Sequence, residues 1–125
     1  MDIALGLRID EGGGLEAFAA TVNASYMSQW AAMGLYDDDV AGWGEAFAQV
    51  VTRTIVGGGR IHFNLTGLDI RAALRGDPEL WVGRYTAWEL QQIVRNSEWF
   101  AKTFFYLDGA ILTTEQADAL GVVCS

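Results

Sequence analysis

The chain changes its period at Gly59. From there to Gly67, Ile61, Phe63 and Leu65 alternate with Arg60, His62 and Asn64. A two-residue repeat is that of a strand with one buried face. Before it the repeat is longer. Leu15, Phe18, Val22, Tyr26, Trp30 and Met33 recur at helical spacing and predict a helix over 15–33, closed by Gly34. Val40, Trp43, Phe47, Val50, Val51 and Ile55 predict a second over 39–56, ended by three glycines. Asp37-Asp38-Asp39 stands where that helix begins, and negative charge there suits free N–H groups. Capping is the plain reading of the triplet, because a metal site needs carboxylates from elsewhere. Upstream, residues 3–8 alternate large and small and read as a first strand, and Asp10 to Gly14 as a loop.

After the central strand, Asp69 is placed to cap a short helix over 70–75, and Gly76 and Asp77-Pro78 end it. Glu79 to Tyr85 reads as an irregular link. Thr86 and Glu89 have the spacing of a capping box, predicting a helix over 87–96 with one further turn at 98–101. Lys102 to Leu107 is rich in strand formers, Asp108-Gly109 is a type I′ turn pair, and Ala110 to Leu112 returns, which predicts a hairpin. Thr113 and Gln116 open a last short helix. The order is β-α-α-β-α-α-β-β-α. It predicts an α+β fold in one domain spanning 1–125: two long N-terminal helices packed on one face of a small, mostly antiparallel sheet, with short additional helices.

Composition supports a packed core: 51% of the 125 residues are hydrophobic and five are tryptophan. No apolar run approaches the roughly 20 residues of a membrane helix, and Met1 to Ala4 lacks the basic start of a signal peptide. The chain as written is expected to be made in the cytoplasm, with no membrane partner. The net charge of −8 argues against strong nonspecific nucleic-acid binding. The charge is uneven, however. Residues 1–59 hold eight acids against two bases, and residues 60–107 hold six bases against five acids. An anionic ligand therefore belongs with the second half. One cysteine and one histidine leave no disulfide and no zinc spacing, so no metal and no cofactor is expected.

The candidate chemistry gathers around His62. An imidazole is the natural general acid or base near neutral pH. Asn64 would hold geometry and Arg60 would bind an anionic group. A solvated strand face explains the same three residues more simply. Glu89, held ionised at a helix start, would orient His62 or pair with Arg84, and capping alone is the simpler account. Arg84 and Tyr85 precede that helix, where an arginine and free N–H groups converge on an anion; a surface loop is the plainer alternative. Tyr26 and Trp30 read as core. Lys102 and Tyr106 share a face of the hairpin and flank the central strand.

The run Arg60-Ile61-His62-Phe63-Asn64-Leu65-Thr66-Gly67-Leu68, then Thr86-Ala87-Trp88-Glu89-Leu90 and Lys102-Thr103-Phe104-Phe105-Tyr106-Leu107-Asp108-Gly109, resembles the C-terminal toxin domains of bacterial polymorphic toxins, found at the ends of RHS-repeat and similar secreted proteins. Asn23 to Met27 and Trp30 fit the same likeness. The resemblance implies delivery into target cells as part of a larger secreted protein, and a cognate immunity protein as partner. It implies no particular reaction. The expectation is an effector domain acting enzymatically on RNA or a nucleotide-type substrate, with His62, Glu89 and Asn64 catalytic and Arg60, Arg84 and Tyr85 binding substrate. The alternative is a non-enzymatic protein-binding module, immunity-like or adaptor.

Overall fold

The computed structural model describes residues 1–7, 14–76 and 84–125. Along the chain lie β1 (Asp2–Leu5), α1 (Gly14–Thr21), β2 (Ala24–Ser25), α2 (Met27–Trp30), α3 (Trp43–Val56), β3 (Ile61–Asn64), α4 (Ile70–Arg75), α5 (Arg84–Arg95), α6 (Ser97–Ala101), β4 (Thr103–Leu107), β5 (Ala110–Ile111) and α7 (Thr114–Ala119). The fold is α+β. Among the described residues five strands form one sheet in the order β2-β1-β3-β4-β5.

The sheet is not mostly antiparallel. Only β4 and β5 run antiparallel, while β1 lies parallel to β2 and β3, and β3 parallel to β4. The reason is in the connections. A two-residue turn permits antiparallel return, and only Asp108-Gly109 supplies one; every other pair of strands is separated by helix, which suits a parallel crossover. Nor do the helices share one face. Ile3 and Leu5 point into the main core with α3 and α5, whereas Ala4 between them packs with Leu15 and Ala19 of α1. Successive strand residues face opposite ways, so α1 covers one side and α3 and α5 the other. The strand order agrees: the chain moves from β1 outward to β2, then back past β1 to β3, and right-handed crossovers in opposite directions lie on opposite faces.

The predicted helix over 15–33 is broken. Asn23 takes a left-handed φ of 53°, which asparagine tolerates better than most residues. Ala24 and Ser25 then join β1 as an edge strand. The helical spacing was real but served two cores: Phe18 and Val22 pack beside Ala4, while Trp30 is wholly buried in the main core. One straight helix cannot reach both. The second predicted helix starts at Trp43 rather than 39, with Gly42 as N-cap. The aspartate triplet therefore caps nothing. Asp37 pairs with Arg53 at 2.9 Å, and its N–H donates to Gln49 Oε1, fastening the preceding loop along the helix flank. Among the described residues only α3 and α5 are long, so the two long N-terminal helices are not found there.

Local chemistry is read correctly where it is self-contained. Asp69 accepts from the Ala72 N–H and Gly76 is left-handed at the end of α4. Asp108 and Gly109 both have positive φ, 52° and 85°, as a type I′ turn demands. Thr113 and Gln116 make both capping-box bonds. The Thr86–Glu89 box is not formed, because α5 begins at Arg84 and both residues lie inside it. The Thr86 hydroxyl instead donates to Gly6 O at 3.1 Å, tying α5 to the end of β1. The predicted loop at Asp10 and link at Glu79 fall outside the described residues, apart from Gly14, Arg84 and Tyr85, which are helical.

The triple glycine has one position of consequence for the site. A Cβ on Gly59 would collide with the Met1 carbonyl and sit 2.9 Å from Thr54 Cγ2. Gly59 thus lets the start of β3 lie against the start of β1. Gly59→Ala is expected to cost about 1–3 kcal/mol, read as a lower urea midpoint.

Candidate functional site

β3 is the middle strand of the five, and its alternation divides the molecule. Ile61 and Phe63 enter the main core; His62 turns to the side that α1 occupies. Register places Ala4 and Phe104 directly beside His62. The partners of the imidazole are the diagonal neighbours, Asp2 two residues before Ala4 and Tyr106 two residues after Phe104. Side chains of this length reach across such diagonals.

The contacts are short. His62 Nε2 lies 2.7 Å from Asp2 Oδ2, and His62 Nδ1 lies 2.8 Å from Tyr106 Oη. The Arg60 N–H donates to the other Asp2 oxygen, Oδ1, at 2.9 Å. His62 is only 8% exposed. The edge of the Phe18 ring meets Tyr106 with ring centres 5.0 Å apart, and the Phe104 ring lies 5.5 Å from the imidazole. A continuous carboxylate–imidazole–phenol chain therefore crosses three adjacent strands under a partial aromatic cover.

The electrostatics fix its direction. Burial pushes the Asp2 carboxyl up, but the hydrogen bonds from His62 and the Arg60 N–H, and attraction to His62 and the terminal amine, outweigh it and hold it below the usual carboxylate range. An ionised carboxylate only accepts, so Nε2 carries a hydrogen; in the neutral ring Nδ1 is then the acceptor for the Tyr106 hydroxyl. Burial, and after it the Asp2 charge, push the Tyr106 phenol up. Tyr106 keeps its proton at neutral pH and can hand it to Nδ1.

Of the six residues singled out from sequence, three lie on this face. Arg60 contributes its backbone N–H, and its guanidinium folds back with Nη1 3.3 Å from Gly59 O. Asn64 sits beside Tyr106 in register, but its Oδ1 accepts from the Thr66 N–H at 3.2 Å, closing a turn after β3. Glu89, Arg84 and Tyr85 belong to α5, the helix of the opposite side. Arg84 and Tyr85 are exposed in its first turn. Glu89 is buried, and burial raises its carboxyl to about 8; it makes no hydrogen bond to His62. Nothing local to Asp2 points to the site: it is remote from His62 in sequence and joins it only through the β1–β3 register. Tyr106 had a signal, its shared face beside the central strand.

Among the described residues no three His, Cys, Asp or Glu side chains are grouped to hold a metal ion, and no helix is long and apolar enough to cross a membrane. A shallow cleft between α4 and α7, lined by Arg71, Leu74 and Leu120, is built from elements that do not carry the relay. Fold and site together define an α+β domain with a hydrogen-bonded Asp2–His62–Tyr106 chain on the face of its sheet. Neither the protein-family models, nor the curated proteins, nor the solved structures hold a match to this chain.

Proposed function

We propose that this chain is a toxin-type effector domain that acts enzymatically on RNA or a nucleotide-type substrate, using Asp2, His62 and Tyr106 as a proton relay. The single observation that supports the reading is the unbroken 2.7 Å and 2.8 Å chain through the sole histidine. The hydroxyl of Tyr106, a half-buried residue, is its working end. A substrate hydroxyl gives its proton to Tyr106 Oη as the Tyr106 proton passes to His62 Nδ1. The products are a substrate alkoxide, a neutral phenol and an imidazolium held against the Asp2 carboxylate. Run backwards, the relay protonates a leaving oxygen. A ribose hydroxyl is the substrate group that suits it. The likeness of the Arg60–Leu68, Thr86–Leu90 and Lys102–Gly109 segments to polymorphic-toxin domains supplies the biological setting, in which an immunity protein restrains the activity.

The test is expression in bacteria. The wild-type chain is expected to arrest growth, with relief by a co-expressed immunity gene, and a folded His62→Ala variant is expected to be harmless. Killing by that variant at the wild-type level removes the relay from the mechanism. A second reading, a non-enzymatic protein-binding module, draws on one feature: both ring nitrogens of His62 are already bonded within the protein. Harmless high-level expression with formation of a stable complex favours that reading.

A further inference from the structure

The half of the sheet beyond α1 is uncovered among the described residues. Every other helix that joins a core cluster, α2 through Trp30, α3, α4, α5, α6 through Trp99 and Phe100, and α7 through Ala117, joins the main core on the opposite side. On the open side Phe104 is 42% and Ile111 53% exposed, and Ile111 stands in register with Tyr106. Arg60 and Lys102 sit at the starts of the two neighbouring strands, joined there by the bond from the Ile61 N–H to Lys102 O. An exposed aromatic, an apolar neighbour and two cations at one edge form a recognisable combination. Nucleobases stack on aromatic rings laid on a sheet, and the phosphates seek arginine and lysine.

We infer that the open face of β3, β4 and β5 binds single-stranded RNA, with a base stacked on Phe104, the next against Ile111, and phosphate at Arg60 and Lys102. The inference rests on the nucleotide reading proposed above and names its substrate class. Three observations select this occupant. Arg60 and Lys102 give this edge a local positive charge that complements phosphate, in a chain whose net charge is otherwise −8. Two apolar side chains suit two successive bases rather than one. From Lys102 to Tyr106 the face runs about 13 Å, which brings a strand held at the basic edge to the Tyr106 hydroxyl. That hydroxyl is where a ribose 2′-OH, the group that sets RNA apart from DNA, would meet the relay.

The test uses the whole protein and a labelled oligouridylate of about eight nucleotides, followed by fluorescence anisotropy at two salt concentrations. Phe104→Ala is expected to weaken binding about tenfold, and Phe104→Tyr, which keeps the ring, to leave it intact. Replacing Arg60 and Lys102 together by glutamine is expected to flatten the salt dependence by about two phosphate contacts. His62→Asn is expected to bind RNA as the wild type does while losing turnover, which separates binding from chemistry. RNA bound but never turned over by the wild type supports this surface and defeats the enzymatic reading alone. Wild-type affinity in Phe104→Ala, or uridine monophosphate binding as tightly as the oligomer, overturns the inference.

Discussion

Glu89→Gln is expected to resist urea better than the wild type at pH 8 and to lose that advantage by pH 5. Glu89 lies inside α5 at 6% exposure with its carboxyl raised by burial from 4.5 to about 8. The folded state therefore keeps the proton over a range in which the unfolded chain has released it. Where the folded state binds more protons, stability falls as pH rises. The contribution is complete below about 4.5, declines through neutrality and is gone above about 8, on the order of 5 kcal/mol in all. A glutamine is neutral throughout. At acid pH it carries only the cost of a buried amide, about 1–3 kcal/mol, and it escapes the penalty that grows above. Urea midpoints of both proteins across this range check the claim. A constant difference between them would mean that Glu89 ionises alike in both states.

The second large effect concerns the direction of the relay. Asp2→Asn is expected to lower turnover about 100- to 10,000-fold with little change in fold. The substitution is nearly isosteric, but an amide nitrogen facing His62 Nε2 makes that nitrogen an acceptor. The ring hydrogen must then move to Nδ1, where it donates to Tyr106 Oη at the 2.8 Å contact. The phenol can no longer pass its proton to the ring. Tyr106→Phe removes the working hydroxyl and is expected to lose as much. The two losses should not add, because each breaks the same chain. Full activity in Tyr106→Phe would mean that His62 meets the substrate directly. Additive losses would mean that Asp2 and Tyr106 act independently.

The polar face of the central strand was legible because alternation is a local property. Ile61 and Phe63 had to be buried, so His62 had to face the other way. The Asp69, Asp108-Gly109 and Thr113 signals were legible for the same reason, each being complete within a few residues. Thr86 and Glu89 show where such reasoning stops. Their spacing fits a cap, yet α5 starts before them, and Gly6, some eighty positions earlier, takes the Thr86 hydroxyl. The long first helix failed similarly. Its apolar stripe has the spacing of one face, but Phe18 and Trp30 serve opposite sides of a sheet whose layout no stretch of helix reveals.

By itself, then, the order of residues determined that Ile61 and Phe63 are buried, that the chain turns at Asp108-Gly109, and that the one imidazole lies on the other side of its strand from them. Those are matters of hydrophobic period and backbone preference acting over a few residues. Its partners were decided by the tertiary structure alone. Asp2 and Tyr106 come from the far ends of the chain, 60 and 44 positions away, and reach His62 because three strands align in parallel with one register out of several. Parallel pairing depends on how intervening helices pack across the two faces, and that packing is settled by the whole core at once.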